Sequence, residues 1–302
     1  DLAYSFHGEG LLIDGFATTI LSGFLRLFYP FRGFGTGSYV IDNKSPDSSL
    51  EKSKQLAKNV LFETIFIEND DNYGVAKGNN QGIEAALNDD CTYILLSNND
   101  IILRSDTIEK LYLGLKRTKA DMAVPKIYYY KTNKIWFAGG KFIRIMGSIK
   151  HCGQGKEDQG QYNRNYRTDY ASTCFMLMKN DVFLDVGLMD ERYFVYYDDT
   201  DFLYRAFLKR KVLYYIYNSI VEHKVSISTG DNSDFSLYYN FHNRIYYVKK
   251  NFNVLLYLIY FINILYHYSI RNIKMAKNRR GWKIIKKALY DGLTYANAIT
   301  KN

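Results

Sequence analysis

Residues Thr92 to Asp100 read TYILLSNND, and the fold turns on this stretch. Thr92 to Leu96 is a short apolar and aromatic run, the signature of a buried strand, and it stops on four small polar residues, Ser97, Asn98, Asn99 and Asp100. Working outward, the same pattern recurs. Upstream, Tyr39-Val40-Ile41 is a short strand ending at Asp42-Asn43, followed by a turn over Lys44 to Asp47 and a polar helix from about Ser48 to Lys58. Thr64 to Ile67 is a further strand, which leads through an Asn/Asp/Gly loop into a helix from about Asn79 to Leu87. Downstream, Asp106 with Glu109 resembles a capping box opening a helix to about Lys116, and Met122-Ala123-Val124 is the next strand. Strands alternating with helices give an α/β fold, with a Rossmann-like, mostly parallel sheet flanked by helices. Ligands of such sheets gather at the carboxyl ends of the strands, where both Asp42 and Asp100 fall.

Beyond this core the reading is coarser. Tyr128 to Arg167 is rich in Gly, Lys, Asn and Gln and suits hairpins and loops. An apolar run (Ser172 to Met178), a short helix from Asp181 and a strand over Leu213 to Tyr217 leading to His223 follow. Among the first 38 residues, Phe16 to Phe28 has apolar residues at helical spacing. Gly33, Gly35 and Gly37 precede a strand instead of following one, so they form a loop and no dinucleotide fingerprint.

Three segments carry chemistry. Asp100, flanked by the amides of Asn98 and Asn99, suits a hard divalent cation that takes one or two protein carboxylates plus phosphate oxygens. The same residue types also favour plain turns. Tyr196 to Asp201 (YYDDTD) places three acids in four residues at a helix start. Asp201 and Arg205, four apart, pair along that helix and leave Asp198 and Asp199 for other work, such as general-base catalysis; a solvated acidic helix start is the alternative. Asn72 to Gly82 (NYGVAKGNNQG) lies between strand and helix, where glycines admit a ligand's phosphate to a helix N-terminus, or merely form a turn. His223 is a candidate metal ligand, though a lone histidine is more often structural.

The composition bounds the rest. The 302 residues are 47% hydrophobic and 24% charged, which excludes a disordered chain. Three scattered cysteines (Cys91, Cys152, Cys174) give neither a disulfide framework nor a zinc pattern and indicate a reducing compartment. Asp1 to Gly10 lacks the basic start and apolar run of a leader, so the catalytic part is expected to face the cytosol. The net charge of +9 is concentrated late: eight Lys and Arg fall between Arg271 and Lys287 with no acid among them. They follow Phe252 to Ile270, a Leu/Ile/Tyr-rich stretch interrupted by Asn253, Asn263 and His267. Residues 252–287 therefore read as an interfacial helix with a basic flank, peripheral to the inner face of the cell membrane. Nucleic acid is excluded as a partner because the basic residues lie outside the α/β core and no nucleic-acid motif is present.

In their order along the chain these segments resemble the family 2 glycosyltransferases, especially the bacterial rhamnosyltransferase-like branch. IDNKSPDSS (Ile41 to Ser49) resembles the strand-end VDN-S-DGS, and NYGVAKGNNQG resembles N-GFA-G-N-G. LLSNND (Leu95 to Asp100) is similar to LLNPD or LLNND, the variant form of the DxD metal motif, and FAGGK (Phe137 to Lys141) carries the family's paired glycines. Ser172 to Ala206 resembles the acceptor segment ending in GLFDE-FF-Y-ED-DL--R, with Asp198 in place of the usual Glu, and HKVSIS (His223 to Ser228) resembles the late H---S.

The resemblance covers residues 39–248. It implies a GT-A fold over about 1–250, with 251–302 as a helical membrane-associating extension, and transfer of a sugar with inversion from a nucleotide-diphosphate sugar to a surface-polysaccharide or lipid-linked glycan acceptor. It further implies that Asp42 and Asn43 contact the nucleotide, that Gly78, Asn80, Asn98 and Asn99 line the donor pocket, and that Asp100, with His223, holds Mg²⁺ or Mn²⁺. Asp199, beside Asp198, would deprotonate the acceptor hydroxyl. The family opens with a strand ending in a Thr-Tyr-Asn-like segment, and residues 1–38 show none, so the expected sheet lacks its first strand or has an altered one. A catalytically impaired nucleotide-binding or membrane-associated protein of the same fold is the alternative that this departure raises.

Overall fold

In a computed structural model that describes residues 18–22, 37–59, 63–224, 234–263 and 279–299, the short apolar runs of the sequence become strands of one mixed sheet. Its main path runs β10 (Tyr166–Arg167), β12 (Leu213–His223), β6 (Met122–Tyr129), β11 (Phe175–Lys179), β4 (Tyr93–Asn98), β1 (Thr18–Ser22), β2 (Gly37–Asp42), β3 (Glu63–Glu68). Two short strands join at the side, β5 (Ile101–Leu103) on β12 and β7 (Ile135–Phe137) on β6, while β8 (Gly140–Ile143) and β9 (Ser148–His151) form a separate two-stranded sheet. Helices α1 (Ser49–Ala57), α2 (Gly74–Asn88), α3 (Thr107–Thr118), α4 (Asn180–Val186) and α5 (Asp198–Leu208) connect or follow these strands. Central strands β4 and β11 are buried along nearly their whole length, including Ile94, Leu96, Phe175 and Met176. Both faces of the sheet are therefore covered there, which is why these strands read as unbroken apolar runs and not as alternating ones.

Strand direction explains where the site falls. β2 and β3 are parallel, as are β6 and β12. β1 is antiparallel to both β2 and β4, and β11 is antiparallel to both β4 and β6. Strands β3, β2, β4, β6 and β12 consequently point the same way, with reversed strands inserted between some of them. The mostly parallel character expected from the βα alternation holds for this set of five, while direct neighbours are largely antiparallel. Asp42, Asn98 and His223 all end strands of the common direction and so share one edge of the sheet.

The N-terminal expectations are corrected. Thr18 to Ser22 is a strand and not part of a helix, pairing Thr19 with Val40 on one side and with Ser97 on the other. The β-branched run Thr18-Thr19-Ile20 fits a pleated sheet better than a helix. The position between β2 and β4 is thus filled, by a reversed strand. The remaining residues of 1–36, including Leu11 to Ile13, lie outside the described residues.

Two helix starts also differ from the sequence reading. Asp106 makes no side-chain capping bond and instead pairs with Lys110 at 2.5 Å, so no capping box forms. The Thr107 hydroxyl instead accepts from the Arg104 N–H at 3.0 Å and donates to the Ile220 carbonyl at 2.6 Å, tying the helix start to β12. Helix α2 begins at Gly74, five residues earlier than expected, because buried packing overrides the poor helix propensity of its Gly and Asn residues. Gly74 has φ +83, and a Cβ there would lie 2.4 Å from the Phe194 carbonyl oxygen, so only glycine fits.

A second compact unit consists of residues 142–150, 195–197 and 229–302. In it α6 (Asp234–Asn251) packs on α8 (Arg279–Ile299): Tyr238 donates to Asp291 at 2.7 Å, and Gly292 lies against Ile245. The Asn243 amide donates to the carbonyls of Val195 (2.7 Å) and Tyr196 (3.0 Å), holding a segment in which Tyr196 and Tyr197 both have positive φ. Helices α6 and α8 both belong to this unit. Residues 254–263 form a helix, α7. Among the described residues no helix is long and apolar enough to cross a membrane; residues 264–278, which include most of the basic segment's start, lie outside them.

Candidate active site

At the end of β4 the Asn98 N–H donates to the Cys174 carbonyl at 2.8 Å, and the chain then turns into β5. β5 pairs antiparallel with the last residues of β12, placing His223 opposite Ile101. This register brings His223 Nε2 to 3.0 Å from Asp100 Oδ2, joining residues 123 positions apart. His223 is 7% exposed, and the Trp136 ring meets it edge-on at 4.7 Å. Asp100 Oδ1, His223 Nδ1 and the Asn99 amide nitrogen are buried with no protein partner. Buried polar atoms are normally hydrogen-bonded, so these orphans on Asn99, Asp100 and His223 are candidate ligand atoms. A carboxylate oxygen and an imidazole nitrogen suit a divalent cation that completes its shell with phosphate and water oxygens. Among the described residues no group of three or more His, Cys, Asp and Glu is placed to hold a metal, so the protein's share would be small.

The second half of the site is the start of α5. Asp201 is fully buried and accepts from Arg205 Nε at 2.9 Å, the i,i+4 pair read from the sequence. Arg205 also donates to the carbonyls of Val186 (2.8 Å) and Leu188 (2.7 Å). Asp198 is 5% exposed, and burial, with the adjacent Asp199 charge, pushes its carboxyl well above the ordinary carboxylate range. Burial raises Asp199 too, against hydrogen bonds that favour its charged form: Tyr170 donates to Oδ2 at 2.8 Å and Thr200 to Oδ1 at 3.1 Å. A carboxylate whose proton affinity is raised by burial, and whose charged form two hydroxyl donors favour, is suited to accept a proton from an alcohol.

Both halves face the same sheet edge. β11 opens opposite the end of β4, pairing Phe175 with Ser97, and Cys174 just before it is 3% exposed. Burial pushes the Cys174 thiol up to about 12, with the charges of Asp100 and Asp199 both adding to the rise. Asp100 and Asp199 therefore act on one buried side chain from two elements. A row of rings links them further: His223 meets Trp136, Trp136 meets His151 at 5.0 Å, and His151 stacks on Tyr170 at 5.8 Å, whose hydroxyl reaches Asp199.

Comparison with known proteins places the fold. The model of glycosyl transferase family 2 matches residues 38–187, from the start of β2 through α4. The chain belongs to glycosyl transferase family 2. It is 26% identical over 217 residues to the low-salt glycan biosynthesis hexosyltransferase Agl10 of Haloferax volcanii, covering 68% of this chain and 64% of the relative's length. In fold it is similar to GalNAc-T7, solved with UDP, GalNAc and Mn²⁺ (TM-score 0.53, 15% identity, 70% of this chain and 41% of that one). It is also similar to Staphylococcus aureus TarS 1-349 (TM-score 0.51, 11% identity, 84% of this chain and 69% of that one). The fold of this family 2 chain is the GT-A arrangement expected from its motifs.

The structure gives the remaining motif residues definite partners. Asp42 is 6% exposed and its carboxylate accepts from the Ser45 N–H at 3.2 Å. The Asn43 amide donates to the Gly74 carbonyl at 3.1 Å and accepts from Asn69 at 2.7 Å, while Asn69 and Gln81 exchange hydrogen bonds at 2.8 and 2.9 Å. Gly78 and Asn80 are both buried inside α2; Asn80 falls within the expected helix, while Gly78 lies in it and not in the loop before it. Asn80 donates to the Met189 carbonyl and accepts from the Met189 N–H, each at 2.9 Å, and donates to Glu191 at 3.0 Å. Its amide is thereby committed to clamping the GLMDE segment, a positioning task. Asn98 contributes through its backbone, and Asn99 keeps an unpartnered amide beside Asp100. Sequence reasoning missed Tyr170, Asn69 and Gln81, which no motif singles out. A cavity of about 370 Å³ lined by Lys126, Tyr128, Asp158 and Asn163 contains none of the motif residues, and its Lys126–Asp158 ion pair (2.7 Å) pins the 152–167 loop to the sheet.

Proposed function

We propose that this chain is an inverting hexosyltransferase that moves a sugar from a nucleoside-diphosphate sugar to a hydroxyl of a surface or lipid-linked glycan. The observation that carries the reading is the placement of the Asp100–His223 pair and the Asp199–Tyr170 pair at one sheet edge, joined by the row of rings from His223 to Tyr170. Family membership and the likeness to a glycan-biosynthesis hexosyltransferase support it. The chain spans 64% of that relative's length, so the activity is carried over as a proposal. Sugar, nucleotide and linkage stay open; rhamnose is an expectation of the branch alone.

In the proposed reaction the acceptor hydroxyl oxygen forms a bond to the anomeric carbon as the bond from that carbon to the diphosphate oxygen breaks. The hydroxyl proton passes to Asp199, and the bonding pair leaves with the nucleoside diphosphate. One displacement inverts the anomeric centre, so a single carboxylate suffices. Asp100 and His223 are the residues that would hold Mg²⁺ or Mn²⁺, which supplies charge to a diphosphate leaving group. Asp198, held toward its neutral form, limits repulsion against the donor's phosphates.

The test is calorimetric titration of UDP, GDP and dTDP with and without Mn²⁺ against the wild-type chain and Asp100→Ala. The expectation is metal-dependent binding of one nucleotide, lost in Asp100→Ala with the thermal melt preserved. Absence of binding at millimolar ligand would turn the reading toward a non-catalytic member of the family.

The same proposal includes attachment to a membrane surface through the C-terminal unit. Val254, Leu255, Leu258 and Ile262 on α7 are 51–75% exposed, and Lys283, Lys286 and Lys287 on α8 are exposed as well. An apolar face and exposed cations in one unit are the features of an interfacial segment on anionic lipid.

A further inference from the structure

We propose that Tyr170 is a positioning residue for the reaction, aiming the Asp199 carboxylate at the acceptor hydroxyl. The inference rests on the reading of Asp199 as the base and goes beyond it, because no motif marks Tyr170. The geometry is specific. Tyr170 is 3% exposed and lies five residues before β11, outside the helix that carries Asp199. Its backbone is fixed to the paired glycines: the Tyr170 N–H donates to the Gly140 carbonyl at 3.2 Å, and its carbonyl accepts from Thr168 Oγ1 at 3.2 Å. Its ring lies nearly parallel to His151 (22°, 5.8 Å), and His151 is itself wedged edge-on against Trp136 (5.0 Å) and Phe137 (5.1 Å). The residue is therefore fixed at its backbone and stacked at its ring before its oxygen reaches Asp199 Oδ2 at 2.8 Å.

The chemistry of the neighbours makes Tyr170 a donor and not a competing base. Burial and the Asp199 charge hold its phenol well above its ordinary value, so the proton stays on oxygen. Burial also pushes His151 down to about 4, so the ring behind Tyr170 is neutral and adds no charge to the site. The titratable groups facing Asp199 are then Asp198 on its own helix, Tyr170, and Cys174 from the approach to β11. With Tyr170 fixing Oδ2 and Thr200 fixing Oδ1, the carboxylate plane cannot rotate, and its remaining lone pairs keep one direction. General-base transfer needs such alignment, since efficiency falls when the acceptor atom is free to turn away.

Tyr170→Phe keeps the ring stack and deletes the hydroxyl that donates to Asp199 Oδ2. A hydrogen bond to a charged group is strong enough that its loss is expected to lower kcat roughly 10- to 100-fold. KM for donor and acceptor should stay near wild type. The acid limb of the kcat/KM profile should move to higher pH, because Asp199 loses a donor to its charged form. Fluorotyrosine incorporated at position 170 preserves the packing, strengthens the donor and should move that limb to lower pH. Asp199→Asn is measured alongside. If Asp199→Asn retains turnover, the base reading itself fails. If Asp199→Asn is inactive while Tyr170→Phe leaves kcat and the acid limb unchanged, only the positioning role is overturned. A Tyr170→Phe variant that loses kcat and KM together with no movement of the limb, and a fluorotyrosine chain with an unmoved limb, would likewise assign Tyr170 to packing alone.

Discussion

Removing Arg205 should show how firmly the catalytic helix is held. In Arg205→Ala three hydrogen bonds disappear, to Asp201 Oδ2 (2.9 Å) and to the carbonyls of Val186 and Leu188 (2.8 and 2.7 Å). The larger effect is on what stays behind, because the Asp201 side chain is 0% exposed and would lose its cationic partner. Breaking a buried ion pair on one side typically destabilises by about 3–5 kcal/mol, well above the ~0–1 kcal/mol of a surface pair. Urea unfolding followed by far-UV circular dichroism at pH 7 measures it, as a lowered midpoint at unchanged slope. The double variant Arg205→Met with Asp201→Leu should recover most of the loss, since no buried charge then remains. A loss below about 1 kcal/mol in Arg205→Ala would place the pair in the range of surface contacts and refute the clamp argument. The clamp matters for function because Val186 and Leu188 lead into Met189, which Asn80 holds from α2. Helix α2, the segment Gly187 to Glu191 and α5 are thus joined by hydrogen bonds that reach α5 at Arg205 and Asp201.

Asp198→Asn should be more stable than wild type at pH 8. Burial holds the folded carboxyl above its unfolded value, so the wild-type chain loses stability as pH rises through the folded value, whereas the amide does not. The gain should vanish near pH 3, below the ordinary carboxylate range, where the wild-type group is protonated in both states; melting curves at the two pH values that differ equally would contradict the buried-charge argument. Replacing Leu255, Leu258 and Ile262 by Ser should reduce co-sedimentation with phosphatidylserine vesicles, and raising salt should weaken the binding that remains. Equal sedimentation of variant and wild type would remove α7 from the membrane account.

Much of the architecture is legible because buried strands announce themselves. TYILLSNND gives both a strand and the polar edge that follows, and the Asp201–Arg205 spacing gives a pair that the structure contains. His223 was readable only as a weak candidate, since nothing local tells that the β5–β12 register brings it to Asp100. Gly78 is hard to place for the opposite reason: its residue type favours a loop, while burial makes it helical. The reversed β1 was illegible because an isolated five-residue segment states neither its partners nor its direction. Tyr170 was hidden among 29 tyrosines, and only the fold singles it out by its distance to Asp199.

The most direct measurement is single-turnover sugar transfer by Asp199→Asn, with nucleotide affinity determined on the same protein. The amide can still accept from Tyr170 or Thr200 through its oxygen, so fold and donor binding should persist while the rate falls by roughly 10²–10⁴. Transfer near the wild-type rate, with the chain folded and nucleotide bound, would contradict the assignment of proton abstraction to this residue.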